Sequence, residues 1–195
     1  MSNQSVLAKN IKEAIEVKQK VMSDSAMMEA IAKLAETMSD AYNKGNKVLF
    51  CGNGGSAADA QHLAAELSGR YYYDRPPLNS EALHVNTSYL TAVGNDYSFE
   101  MIYARMLEAI AHKGDILIAM STSGNSPNVV KAVEQAKEMG MYTVGMAGAS
   151  GGKMNDLCDV MIKVPSTDTP RIQEVHMLIG HTLCELVEKA IFPKP

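Results

Sequence analysis

Residues 47–56 read Lys47-Val-Leu-Phe-Cys-Gly-Asn-Gly-Gly-Ser56, and a helical segment follows from about 57 to 69. A short apolar run that stops at a glycine-rich turn and gives way to a helix is the pattern of a buried strand feeding a strand–loop–helix unit. The same order returns with Asp115-Ile-Leu-Ile-Ala-Met120, then Ser121-Thr-Ser-Gly-Asn-Ser126, then a helix through Met139. Residues 82–85, 142–147 and 160–164 supply further strand candidates. Strands alternating with helices predict an α/β fold, here a three-layer sandwich with a mostly parallel five-stranded sheet between helices.

Outward from this core, residues 4–44 read as two amphipathic helices broken at Ser23-Asp24 and stopped at Lys44-Gly45-Asn46. Leu7, Ile11, Ile15 and Met22 share one face, interrupted by Lys18, and that stripe can pack on the sheet of its own chain or on another subunit. A last helix runs from about 169 to 191, after Pro165-Ser166. No linker or low-complexity tract divides the 195 residues, so one domain is expected over 1–195, with 1–44 as a helical extension.

The formal net charge of −4 provides no basic footprint for nucleic acid. No apolar run approaches the ~18 residues of a membrane span, and the first residues lack the basic-then-apolar order of a signal peptide. Cys51, Cys158 and Cys184 are odd in number and far apart, which fits a reducing cytoplasm better than a disulfide framework.

Both loops suit an anion, because free amides and the positive end of a helix face the ligand. Gly54 and Gly55 let a ligand approach the backbone, and Ser121, Thr122, Ser123 and Ser126 add hydroxyls that bind phosphate without adding charge. Ser56 and Ser126 are placed as N-caps, with Pro127 at a first helical position. Neither loop is a nucleotide motif: the Gly-Lys-Ser/Thr of a P-loop is absent, as is the third glycine of the dinucleotide fingerprint. A small phosphate ester is the expected ligand. His62 and Glu66 stand four apart on the helix after the first loop and share a face, an arrangement that grips a divalent metal or moves a proton. His181 lies in an apolar stretch and Asn95-Asp96 follows a helix-like segment at 87–93, where it would pass for an Asx turn. His84, His112 and His176 read as structural or solvated, and Cys51 as a small buried residue.

Together, Cys51-Gly-Asn-Gly-Gly-Ser56, Gly94-Asn-Asp96, Ser121-Thr-Ser-Gly-Asn-Ser126 and Arg171-Ile-Gln-Glu-Val-His176 resemble the phosphoheptose isomerases of the sugar isomerase (SIS) domain family. The resemblance runs over nearly the whole chain. It implies conversion of sedoheptulose 7-phosphate to D-glycero-D-manno-heptose 7-phosphate in the cytoplasm, an early step toward surface glycans, by a homotetramer. It also implies one zinc per active site, held by the residues matching His62, Glu66, Gln173 and His181, with Glu66 and His181 as the acid–base pair. Ser121, Thr122, Ser123 and Ser126 are then expected at the phosphate, and Asn53, Gly54, Gly55, Asn95, Asp96 and Gln173 at the sugar. Some members carry a second acidic residue where this chain has Ala65. Gln173 and His181 are eight residues apart, a rise of about 12 Å and a turn of ~80° along one helix. One chain is therefore not expected to bring both to a compact site, and active sites at subunit interfaces are expected. The competing reading is a non-catalytic SIS protein of the kind that binds the replication initiator protein. Retention of both Glu66 and His181 favours the enzyme.

Overall fold

The computed structural model describes residues 2–194. Five parallel strands, β1 (Val48–Gly52), β2 (Ser80–Ala82), β3 (Ile116–Met120), β4 (Tyr142–Ala147) and β5 (Val160–Lys163), form one sheet in the order β2-β1-β3-β4-β5. β1 and β3 are buried at every position, as strands covered on both faces must be. Successive side chains point to opposite faces. Phe50, Ile116 and Ile118 join one core, and Leu49, Cys51 and Leu117 the other.

The first core is capped by α1 (Asn3–Ser23), α2 (Ser25–Asn43), α3 (Gly55–Ser68) and α7 (Thr169–Ile191). The second is capped by α4 (Thr87–Asp96), α5 (Ile102–Ile110) and α6 (Pro127–Glu138). The three-layer expectation is met. The order 2-1-3-4-5 places a topological switch point between β1 and β3, where open α/β sheets bind ligands beyond the strand C-termini. Gly52 pairs with Met120 in register, so the loops after them emerge side by side at that crevice.

Several local expectations change. The strand expected at 82–85 lies earlier, at Ser80–Ala82, because its partner β1 pairs Val48 with Ser80. Asn95 and Asp96 close α4 and are not an Asx turn beyond it. α5 was not anticipated; Ile102, Tyr103, Ala104 and Leu107 bury its inner face. Ser56 is not an N-cap, since α3 starts at Gly55 with Gly54 as cap, at the positive φ of 56° that glycine adopts freely. Ser126 does precede α6, with Pro127 at its start. The break at Asp24 is as read: its carboxylate caps α2 by accepting from the Met27 amide at 3.0 Å.

The α1 stripe does not pack on its own sheet. Leu7, Ile11, Ile15 and Met22 are 60, 51, 50 and 70% exposed, and α1 buries Val17 and Val21 instead. No helix of the described residues is long and apolar enough to cross a membrane.

Candidate active site

α3 and α7 lie against each other on the outer side of the first core, and two glycines set how closely. A β-carbon on Gly180 would stand 2.5 Å from Cδ1 of Leu63, itself buried; one on Gly55 would stand 2.6 Å from Nε2 of Gln173. Bare backbone at both points lets the helices approach. The neighbours of Gly180 and Leu63 along the chain are His181 and His62, and their Nε2 atoms come to 3.0 Å. Oε1 of Glu66, one turn further along α3, lies 3.2 Å from His62 Nε2. The ligand atoms of His62, Glu66 and His181 all fall within 4.8 Å of one another. Two imidazoles and a carboxylate in such a cluster are a donor set for a divalent cation.

Gln173 is turned to the start of the other helix. Its amide covers Gly55 at the start of α3, while His181 faces His62 two turns on. The two contacts fall in the same order along both chains, so the helices run in the same direction.

The serine loop is assembled by its own hydroxyls. Ser121 Oγ lies 3.0 Å from Ser126 Oγ and 3.4 Å from Ser123 Oγ; the Ser126 side chain makes no cap bond to α6, whose Val129 amide donates to Asn128 Oδ1 at 3.0 Å. Thr122, Ser123, Asn125, Gly148, Ser166 and Thr169 line an open cavity of about 270 Å³ beside it. With Pro127 lacking an N–H and the Val129 and Val130 amides already bonded, the hydroxyls and the Asn128 amide are the uncharged groups there that could meet an anion. Asn53, in the first loop, exchanges two hydrogen bonds with Asn128, at 2.8 and 2.9 Å, and so ties the two loops across the switch point. Tyr103 of α5 also donates to the Gly52 carbonyl and holds the end of β1.

Asn95 and Asp96 are exposed and hydrogen-bonded to each other at 2.8 Å; α4 packs on its own side of the sheet, away from α3 and α7. No hydrogen bond among the described residues joins the His62–Glu66–His181 cluster to either loop. One turn before His62, Asp59 has its Oδ2 buried without a partner, and burial raises its carboxyl above the ordinary range while His62 opposes the rise. His176 is fully buried and structural, and Cys51 is a buried thiol pushed up by desolvation.

Three contributors escaped the sequence reading: Asn128, Gly180 and Tyr71, whose ring stacks on His181. Gly180 had a signal, because glycine inside a helix costs about 0.5–1 kcal/mol relative to alanine and needs a packing reason. Asn128 had none, since its partner is 75 residues away.

The chain matches the SIS domain family over residues 8–148. It is 52% identical over 183 residues to a phosphoheptose isomerase of Aneurinibacillus thermoaerophilus, covering 94% of this chain and 92% of that one. It is 57% identical over 162 residues to one of Rhodospirillum rubrum, covering 83% and 86%. Among solved structures, the phosphoheptose isomerase of Neisseria gonorrhoeae superposes with a TM-score of 0.90 at 39% identity, covering 96% of this chain and all of that one. That of Francisella tularensis gives 0.93 at 35%, covering 97% and 100%.

Proposed function

The chain belongs to the SIS domain family, and on that premise we propose that it is a phosphoheptose isomerase, converting D-sedoheptulose 7-phosphate to D-glycero-D-manno-heptose 7-phosphate. The observation that carries the reading is the convergence of His62, Glu66 and His181 from two helices onto one point.

Aldose–ketose exchange moves a proton between C1 and C2 through an enediol, while a second group handles the proton on oxygen. Glu66 takes the proton from C1 of the ketose and returns it to C2. His181 moves the hydroxyl proton that converts the C2 carbonyl into the C1 carbonyl of the aldose. The serine loop, through Ser121, Thr122, Ser123 and Ser126, binds the phosphate. Asn53, Gly54, Gly55 and Gln173 orient the sugar, and Asn95 and Asp96, on the far side of the sheet, are read as reaching it from another subunit.

The cluster also fits zinc. Bonds of ~2.0–2.2 Å in tetrahedral array separate neighbouring ligand atoms by about 3.3 Å, close to the 3.0 and 3.2 Å between His62 and its two partners. His62, Glu66 and His181 would hold the ion, one per site, with Gln173 as a fourth ligand. When bound, zinc polarises carbonyl and hydroxyl oxygens as a Lewis acid.

Within its own chain Gln173 is turned to Gly55, so we read a neighbouring subunit as its source and the active site as shared between subunits of a homotetramer. The exposed stripe on α1 supports this. So does an apolar groove of about 310 Å³ lined by Val21, Met22, Met28, Ile31, Leu178 and Ile179. Three unpaired cysteines suit the cytoplasm. The non-catalytic reading, a partner of the replication initiator protein, is disfavoured because the acid–base pair is intact and assembled.

Incubation with sedoheptulose 7-phosphate, with and without added zinc, tests the proposal. An aldose 7-phosphate product with exchange of the C1/C2 proton in deuterated water is expected. Binding without exchange or product would overturn it.

A further inference from the structure

The turn after α3 contains a buried ion pair with no part in the chemistry above. Glu188 of α7 is fully buried, and its carboxylate accepts from the backbone amides of Tyr71 at 2.9 Å and Tyr72 at 2.8 Å, and from Arg75 Nε at 3.2 Å. The Arg75 guanidinium spends its remaining donors on backbone carbonyls of the same region: Leu67 at 2.7 Å, Gly69 and Pro76 at 3.1 Å, and Glu66 at 2.8 Å. A buried pair of this kind is weak evidence for stability, because desolvation offsets much of its attraction. Its hydrogen bonds nevertheless fix one backbone path, with charge-assisted bonds at nearly every donor and acceptor.

What that path positions is the Tyr71 ring. Glu188 lies seven residues after His181, so the two share a face of α7 about 10 Å apart along the axis. Tyr71 spans the interval: its amide is anchored at Glu188, and its ring lies against the His181 imidazole, with centroids 5.9 Å apart and planes 29° apart. Tyr72 packs on Tyr71 at 4.5 Å. The other ring contact of His181 is edge-on with His62 at 5.2 Å and 70°. Among the described residues, the hydrogen bond to His62 is the one that the His181 ring makes, and a single bond leaves a ring free to rock about it. A flat ring stacked against it restricts that freedom.

We infer that Tyr71, pinned through its backbone by the Glu188–Arg75 pair, is a positioning residue of the reaction that holds His181 toward His62 and Glu66. The aromatic face does this and the hydroxyl does not. The inference rests on the isomerase reading for its kinetic arm alone.

Tyr71→Phe and Tyr71→Leu separate the possibilities, since the first keeps the flat ring and the second keeps apolar bulk without it. Tyr71→Phe should keep kcat within ~2-fold, whereas Tyr71→Leu should lose ~10–100-fold in kcat, the usual cost of removing a group that orients a ligand, with KM within ~3-fold. Carbon-bound proton resonances of the His181 ring, recorded on metal-free and substrate-free protein, provide the second readout. They should coincide in wild type and Tyr71→Phe and move in Tyr71→Leu, where the neighbouring ring current is gone. Wild-type kcat in Tyr71→Leu, whatever its resonances do, would overturn the inference. So would a change in KM alone, or a Tyr71→Phe protein as impaired as Tyr71→Leu. A wild-type protein without isomerase activity would instead count against the proposed function, and cross-relaxation between the His62 and His181 ring protons, retained in Tyr71→Phe and weakened in Tyr71→Leu, would still decide whether Tyr71 orients the ring.

Discussion

Nε2 of His62 and Nε2 of His181 stand 3.0 Å apart across 119 residues of sequence. The contact exists because Gly180, beside His181, presents bare backbone to the Leu63 side chain beside His62.

Gly180→Ala should therefore be destabilising, although alanine is the better helix former. Forcing a methyl against buried Leu63 costs about 1–3 kcal/mol, against a gain of about 0.5–1 kcal/mol from helix propensity. A lower urea midpoint at unchanged slope, together with reduced turnover, is the expected result. A variant more stable than wild type would show that Leu63 yields easily and that the glycine does not set the helix separation.

Glu66→Gln should keep the fold and substrate binding and lose turnover by about 10²–10⁴-fold, the usual contribution of a positioned base. Steady-state kinetics and loss of C1/C2 proton exchange check this. Near-normal turnover would end the assignment of Glu66 as the carbon base.

Mixed oligomers test how the site is shared. One chain brings Glu66 and His181 together, so Glu66→Ala co-assembled with His181→Ala has no intact cluster in any chain and should stay inactive. Gln173→Ala co-assembled with His181→Ala should regain activity, because one chain carries the whole cluster and its neighbour carries Gln173. Verified hetero-oligomers of the second pair that remain as inactive as the parents would count against a site shared in this way.

Stability should fall in mild acid because of His176. Burial pushes its imidazole from the ordinary 6.5 down to about 4, with the Ala147 carbonyl opposing the shift. The unfolded chain therefore takes up a proton that the folded chain refuses, and stability is lost as pH drops from about 6.5 toward about 4. The loss attributable to this group is on the order of 3 kcal/mol. Unfolding of wild type and His176→Leu at pH 7 and pH 4.5 measures it; parallel losses in both proteins would mean that other groups govern the acid limb.

The order of strands and helices was legible from residue 47 onward, because strands buried on both faces carry continuous apolar runs and glycine marks their ends. The loops at 52–56 and 121–126 were legible for the same local reason. α5 was missed between residues 98 and 111, where nine residues form a helix without a strong start or stop signal. The stripe on α1 was read correctly as apolar, yet its partner was undetermined, and within one chain it has none.

Local chemistry could thus name the two glycine- and serine-rich loops and the His62–Glu66 pair. It could not say that His181 meets His62, that Asn128 locks Asn53, or that Tyr71 lies against His181. Those contacts join segments from 75 to 119 residues apart. They depend on how closely two helices pack and on which side of a shared crevice two loops emerge, and packing of that kind is decided only when the whole core closes.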